Sequence, residues 1–309
     1  MQSLWMLLAT FVFAIMGVCV KLASDYYSIA EIVMVRGAIG VVVIGALVLL
    51  RGDTLRTRFG GHHLWRGAVG VTAFWMWFYA IAQLPLSMAM TLNYMAPIWI
   101  AAILFIGGWW RGVRGFEPGM ILAIIASFIG VTLLLQPAMH ASQWLGALVA
   151  LASGMLAALA YLQVRQLGQM GEPESRVVFY FSLTSTLAGL GGVLLAPGPL
   201  SRTALWHAPS ARGLLLLLAI GVCATVAQMA MTRAYRLGKI LVTANLQYTG
   251  IVFSSFWGVL LWHDVLGWLG WSGIAVILSS GLVATYYNTR NISSTDVSVT
   301  TSDPIAAEL

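Results

Sequence analysis

The chain has 309 residues, of which 60% are hydrophobic and 8% are charged, with a formal net charge of +6. A soluble fold of this size needs far more charge to stay dissolved, so the composition excludes a water-soluble enzyme and points to an all-α integral membrane protein. The positive balance does not signal nucleic acid, because the Lys and Arg residues stand singly between apolar runs and form no basic surface.

In chain order, turn and charge clusters cut the sequence into ten apolar runs, each near the ~20 residues that cross a bilayer. They fall at 4–23, 29–50, 65–84, 87–109, 115–136, 143–163, 176–196, 211–232, 240–262 and 267–287. Met1-Gln2-Ser3 carries no basic charge ahead of the first run, which is expected to be an uncleaved span and not a signal peptide. Leu84-Pro85-Leu86 and the residues around Asp264 to Leu266 are links short enough to make antiparallel hairpins. Cys19 and Cys223 lie inside apolar runs and are expected to be packing residues without a disulfide. The tail 289–309, rich in Ser, Thr and Asp, is expected to be disordered and cytoplasmic.

Orientation follows from the basic residues. With the N-terminus inside, the cytoplasmic face receives Arg51, Arg56, Arg58, Arg66, Arg111, Arg114, Arg165, Arg176, Arg233, Arg236, Lys239 and Arg290. The outer face receives Lys21, Arg36, Arg202 and Arg212. The expected topology is multi-pass in the cytoplasmic (inner) membrane with both termini cytoplasmic.

Two segments repeat at an offset of 154 residues: Tyr79 to Pro85 running on to Asn93-Tyr94-Met95-Ala96-Pro97, and Arg233 to Gly238 running on to Gln247-Tyr248-Thr249-Gly250. Each places an amide and a tyrosine just before a helix-loosening residue in an apolar run. Ten spans in two copies give five per copy, and an odd number forces the second copy to enter the membrane inverted. The expected units are a first five-helix repeat over 1–137 and a second over 138–288.

These residues resemble the drug/metabolite transporter superfamily, in particular its ten-helix EamA type. The resemblance rests on Lys21 closing the first span, Glu31 and Arg36 opening the second, and Tyr79-Ala80 with Pro85 and Pro97. It continues through Ala234-Tyr235-Arg236-Leu237-Gly238, Tyr248, Gly258, Gly270, Gly273 and Gly281. It implies a helical basket with a central cavity lined mainly by spans 1, 3, 4, 6, 8 and 9, and carriage of small metabolites such as amino acids, amines or drugs. Where the family often has Gly-Glu at the ends of spans four and nine, this chain has Trp109-Trp110-Arg111 and His263-Asp264.

Candidate substrate-binding residues are polar or aromatic groups at membrane depth, where a side chain needs a protein partner, a cavity or a ligand. They are Asn93, Tyr94, Tyr161, Gln163, Gln228, Gln247 and Tyr248. The plain alternative for each amide is an interhelical hydrogen bond. In the aromatic third span, Trp75, Phe78 and Tyr79 share one helical face and are expected to line the cavity, with Phe74 and Trp77 turned to lipid or neighbours. Pro97 and Gly250 are candidate hinges, since proline frees a carbonyl one turn back and glycine permits close approach. Glu31 and Arg36 are a candidate polar gate at the outer end, with snorkelling toward the headgroups as the alternative. Arg233 and Arg236 read as positive-inside anchors.

The expected function is secondary transport of a small metabolite, an amino acid or amine, by alternating access and in the direction of export. A second reading is uptake or exchange of a larger aromatic or sulfonium metabolite such as S-adenosylmethionine, cradled by the aromatic span. An intramembrane enzyme needs an acid–base pair or metal ligands at reaction depth, and the five histidines fall in loops or at span ends. No catalytic residue, metal or cofactor is therefore expected. A non-transporting sensor leaves the inverted repeat without a purpose. The expected partners are a small-molecule substrate and the lipid bilayer; the sequence sets no oligomeric state.

Overall fold

The computed structural model describes residues 4–110, 143–195, 210–238, 240–263 and 267–280, with isolated positions between 112 and 133 and between 282 and 286. The fifth run over 115–136 and the tail 289–309 lie essentially outside these residues. Everything regular among the described residues is helical. The helices are α1 (Trp5–Ala23), α2 (Ile29–Leu50), α3 (Gly60–Gln83), α4 (Leu86–Asn93), α5 (Ala96–Trp110) and α6 (Trp144–Gln169). They continue as α7 (Glu174–Leu195), α8 (Ala211–Leu237), α9 (Ile240–Leu246), α10 (Thr249–Trp262) and the short apolar α11 (Trp268–Ser280). Among the described residues, six segments are long and apolar enough to cross a membrane: α1, α2, α4 with α5, α6, α7 and α8.

Local chemistry sets several of the ends. The Ser28 N–H and hydroxyl donate to the Glu31 carboxylate at 2.7 and 2.8 Å, and the Glu31 N–H donates back to Ser28 Oγ, a capping box that starts α2. Ser210 caps α8 by accepting from the Gly213 N–H. At the other end of α3, Lys21 Nζ donates to the carbonyls of Leu84 (2.6 Å) and Ile81 (3.3 Å), which would otherwise be orphaned by the helix terminus.

The helices pack across the chain midpoint: α1 against α8 and α10, α2 against α7, and α3 and α4 against α6. Small residues permit the closest of these approaches, as lipid tails give apolar side chains no reason to choose a helix over the bilayer. A Cβ on Gly189 would stand 2.5 Å from the Met34 backbone nitrogen, so α2 and α7 touch almost backbone to backbone.

Two apolar runs are broken. α4 stops at Asn93 and α5 starts at Ala96; α9 stops at Leu246 and α10 starts at Thr249. The interruptions fall at Tyr94-Met95 and Gln247-Tyr248. Pro97 stands just after the first, in the opening turn of α5, where a missing N–H costs nothing extra.

Candidate functional site

The first break meets a small buried cavity. Phe13 of α1, Arg66, Gly70, Ala73, Phe74 and Trp77 of α3, Asn93 and Tyr94 at the first break, and Ala157, Ala160 and Tyr161 of α6 line it. Its volume is about 20 Å³, room for a water and not for a metabolite.

At the first break Asn93 Nδ2 donates to Ser153 Oγ (2.8 Å), whose hydroxyl donates to the Ala150 carbonyl. Pro97 cannot donate to the Asn93 carbonyl one turn back. That carbonyl and the one of Leu92 turn onto Gly154, where an added Cβ would lie 2.9 and 3.0 Å from them. The Tyr94 ring lies on Gly250, whose missing Cβ gives it the room. One break thus keys into the other. Thr10 and Thr249 hydroxyls share a 2.9 Å hydrogen bond that ties α1 to the second break.

On the second-break side Tyr161 stacks on Tyr235, with ring centroids 5.2 Å apart. Gln247 Oε1, Tyr94 OH, Tyr235 OH and Tyr248 OH are buried with no hydrogen-bond partner among the described residues. Asn93, Tyr94 and Tyr161 line the cavity, whereas Gln247 and Tyr248 do not. Gln228 in α8 is buried with Nε2 unpartnered, and Gln163 is half-buried with Oε1 unpartnered; neither lines it.

The structure reverses the expected face of α3. Phe74 and Trp77 line the cavity, whereas Trp75, Phe78 and Tyr79 do not. Trp75 covers Gly192 of α7, and Phe78 packs behind Phe74 and Trp77. The reason is the stripe Arg66, Gly70, Ala73, Phe74 and Trp77, spaced by three and four, whose small members let the helix turn that side inward.

Two charged residues also sit differently from expectation. Arg36 does not snorkel outward: 3% exposed, it points into the bundle, its guanidinium 4.2 Å from the Phe74 ring and 5.1 Å from that of Phe181. Arg66 is no surface anchor. It is 2% exposed, lies 4.1 Å from the same Phe181 ring and folds over Gly70. Sequence reasoning passed over Arg66 as one of many basic residues near a helix end; its spacing to Gly70, Ala73 and Trp77 was the available signal. Glu31 serves the α2 cap.

Polar clasps close both ends of the bundle. At one, Lys21 holds the end of α3 and lies 5.7 Å from the Trp262 ring. At the other, Thr57 donates to Glu172 (2.7 Å), which pairs with Arg176 (3.0 Å) and lies 3.3 Å from His63 Nε2 without good hydrogen-bond alignment. Arg236 pairs with Glu174 at 2.8 Å, and Arg233 lies over the Trp5 ring at 5.0 Å. Burial holds His63 below its ordinary 6.5, against the pull of Glu172. Burial pushes Glu172 up, but hydrogen bonds from Thr57 and Arg176 with the neighbouring positive charge outweigh it and hold the carboxyl below 4.5. Cys19 and Cys223 are free thiols.

A polytopic helical bundle with two interrupted helices, one of them lining a buried cavity, is the build of a membrane carrier. The model of the EamA-like transporter family matches residues 1–136. A pseudopaline exporter of Pseudomonas aeruginosa is 32% identical over 260 residues, covering 84% of this chain and 86% of the exporter. A riboflavin transporter of Vibrio cholerae is 27% identical over 299 residues, 93% of this chain and 94% of that one. A solved crystal structure shares the fold at a TM-score of 0.66 and 18% identity, over 92% of this chain and 98% of the other. The chain belongs to the EamA-like transporter family, within the drug/metabolite transporter superfamily.

Proposed function

We propose that this transporter carries a small metabolite across the cytoplasmic membrane by alternating access, using ten spans arranged as two inverted five-helix repeats with both termini cytoplasmic. The observation that carries the reading is the pair of broken helices. Asn93-Tyr94 and Gln247-Tyr248 stand at the repeat offset, and Tyr94 of one half rests on Gly250 of the other. The packing pattern supports it, since α1 against α8 and α3 against α6 are the same contact once the halves are exchanged. The side assignment is supported by Lys21, Leu84 and Trp262 gathering at one end while Trp5, His63, Glu172 and Arg236 gather at the other.

Transport then opens one clasp while the other stays shut. Both relatives with named cargo are carriers, one of them an exporter, and export is the direction proposed here. The substrate-binding set proposed is Asn93, Tyr94, Tyr161, Gln247 and Tyr248 with Phe74 and Trp77 as the aromatic wall. The test is counterflow in proteoliposomes loaded with unlabelled amino acids, amines, organic acids, riboflavin or S-adenosylmethionine. Accumulation of a labelled solute that vanishes in Asn93→Ala supports the reading. Ligand consumption, or binding without any flux across the panel, overturns it.

A further inference from the structure

Arg36 and Arg66 place two guanidinium groups in the interior, and no carboxylate lies within ion-pair distance of either among the described residues. Burying a charge without a counter-ion is costly, and proteins retain such groups where something else supplies the opposite charge. Phe74 and Phe181 offset part of the cost through their ring faces. They leave the in-plane N–H groups unserved. Among the described residues, the single hydrogen bond from either guanidinium runs from Arg36 Nη1 to Ser185 Oγ at 3.3 Å. Arg36 Nε, Arg66 Nε and Arg66 Nη1 have no partner among the described residues.

The cavity repeats the imbalance. Trp77 Nε1 and Tyr94 OH, both buried and unpartnered, belong to side chains that line it together with Arg66. Arg and Trp can only donate. A ligand that satisfies this set must bring acceptors and negative charge, and a carboxylate does both, meeting guanidinium in a planar, paired geometry. Phe74 and Trp77 supply an apolar wall for the rest of the molecule.

We infer that the cavity takes a carboxylate-bearing anion, with Arg66 contacting the carboxylate and Arg36, stacked on the shared Phe181, adding a second positive charge behind it. This deepens the carrier reading and rests on it for the word substrate. A cationic sulfonium or amine without a carboxylate meets two like charges here and is excluded as the preferred cargo.

The experiment uses the purified full chain in nanodiscs, with thermal unfolding measured against matched pairs: glutarate and glutaramide, succinate and succinamide, phenylacetate and phenylacetamide, and sodium chloride. Stabilisation by at least one carboxylate at about 10 mM, absent with its amide and with chloride, is the expected result. Arg66→Met should weaken that carboxylate by roughly tenfold or more, and Arg66→Lys by less. Arg66→Met should also unfold no earlier than the parent without ligand, since it removes an unpaired buried charge; a guanidinium that merely glues helices predicts the opposite. Where Arg66→Met does not fold, Gly70→Ala keeps the charge, crowds the guanidinium and should weaken the same carboxylate. Equal shifts from amide or chloride, no carboxylate shift across the panel, or shifts untouched by Arg66→Met and Gly70→Ala overturn the inference. Counterflow separates the two readings. Arg66-dependent binding without flux sinks the carrier reading alone, and flux of neutral or cationic solutes untouched by Arg66→Met sinks the anion reading alone.

Discussion

Gly154→Ala tests whether the first helix break is held by backbone contact. Its Cβ would stand 2.9 Å from the Asn93 carbonyl oxygen and 3.0 Å from that of Leu92. Neither oxygen belongs to a side chain that can swing away, so α6 and the break must separate by a few tenths of an ångström. Overpacking of this kind costs about 1–3 kcal/mol. The separation also stretches the 2.8 Å hydrogen bond from Asn93 to Ser153, a bond with a net value of about 1 kcal/mol. Against this, alanine gains about 1 kcal/mol of helix propensity over glycine. The net loss is about 1–3 kcal/mol. Gly146→Ala on the same helix is the control. There the added Cβ meets side-chain atoms of Gln83 and Leu84 at 3.3 Å, a contact that small side-chain adjustments absorb. The propensity gain should leave that variant near the parent. Thermal unfolding of both variants in one detergent, with equilibrium unfolding in sodium dodecyl sulfate, should separate them by about 2 kcal/mol, roughly a thirtyfold change in the unfolding equilibrium. Equal stability of the two, or a more stable Gly154→Ala, refutes the backbone-contact argument.

Gly250→Ala should disturb the seat of Tyr94 and lower stability by about 1–3 kcal/mol; an unchanged unfolding temperature would mean that Tyr94 does not depend on that seat. Asn93→Ala and Gln247→Ala should each abolish counterflow while leaving membrane insertion intact, and full flux in both removes them from the site. Acid should loosen the His63–Glu172 clasp. His63 is held below 6.5 in the fold, so its contribution is complete above pH 6.5 and declines as the unfolded chain takes up the proton below it. Glu172, held below 4.5, contributes in the same sense, with stability present above that pH and lost as the pH drops through its depressed value. The unfolding temperature should therefore fall between pH 6.5 and 5, and less steeply in His63→Gln; parallel pH profiles for the two proteins would contradict the assignment.

The sequence carries a local signal near both helix breaks, although it reads 87–109 and 240–262 as continuous spans. Pro97 cannot donate to the Asn93 carbonyl, and an amide–tyrosine pair recurs at the same offset in the second half, within a few residues of where α4 and α9 stop. The polar residues beside them, Asn93, Tyr94, Tyr161 and Gln247, were legible for a related reason: a polar group in an apolar run has few places to go. Composition likewise fixed the membrane class and the helices, because a chain with 8% charge has no soluble alternative.

Tertiary structure decided which way each helix faces. In water, an amphipathic stripe tells a helix how to rotate; in a bilayer, lipid and core are both apolar and that signal fades. α3 could therefore present Trp75 and Tyr79 or Phe74 and Trp77 to the centre with little difference in its own sequence pattern. The choice came from Gly67 and Gly70, which let α3 press against Thr184 and Phe181 of α7. The same contact carried Arg66 inward, and Arg36 followed because Phe181 and Ser185 gave its guanidinium a place inside the bundle. A basic residue near a helix end reads as a surface anchor until the neighbouring helix is in place, since only the packed partner determines whether water or protein receives the charge.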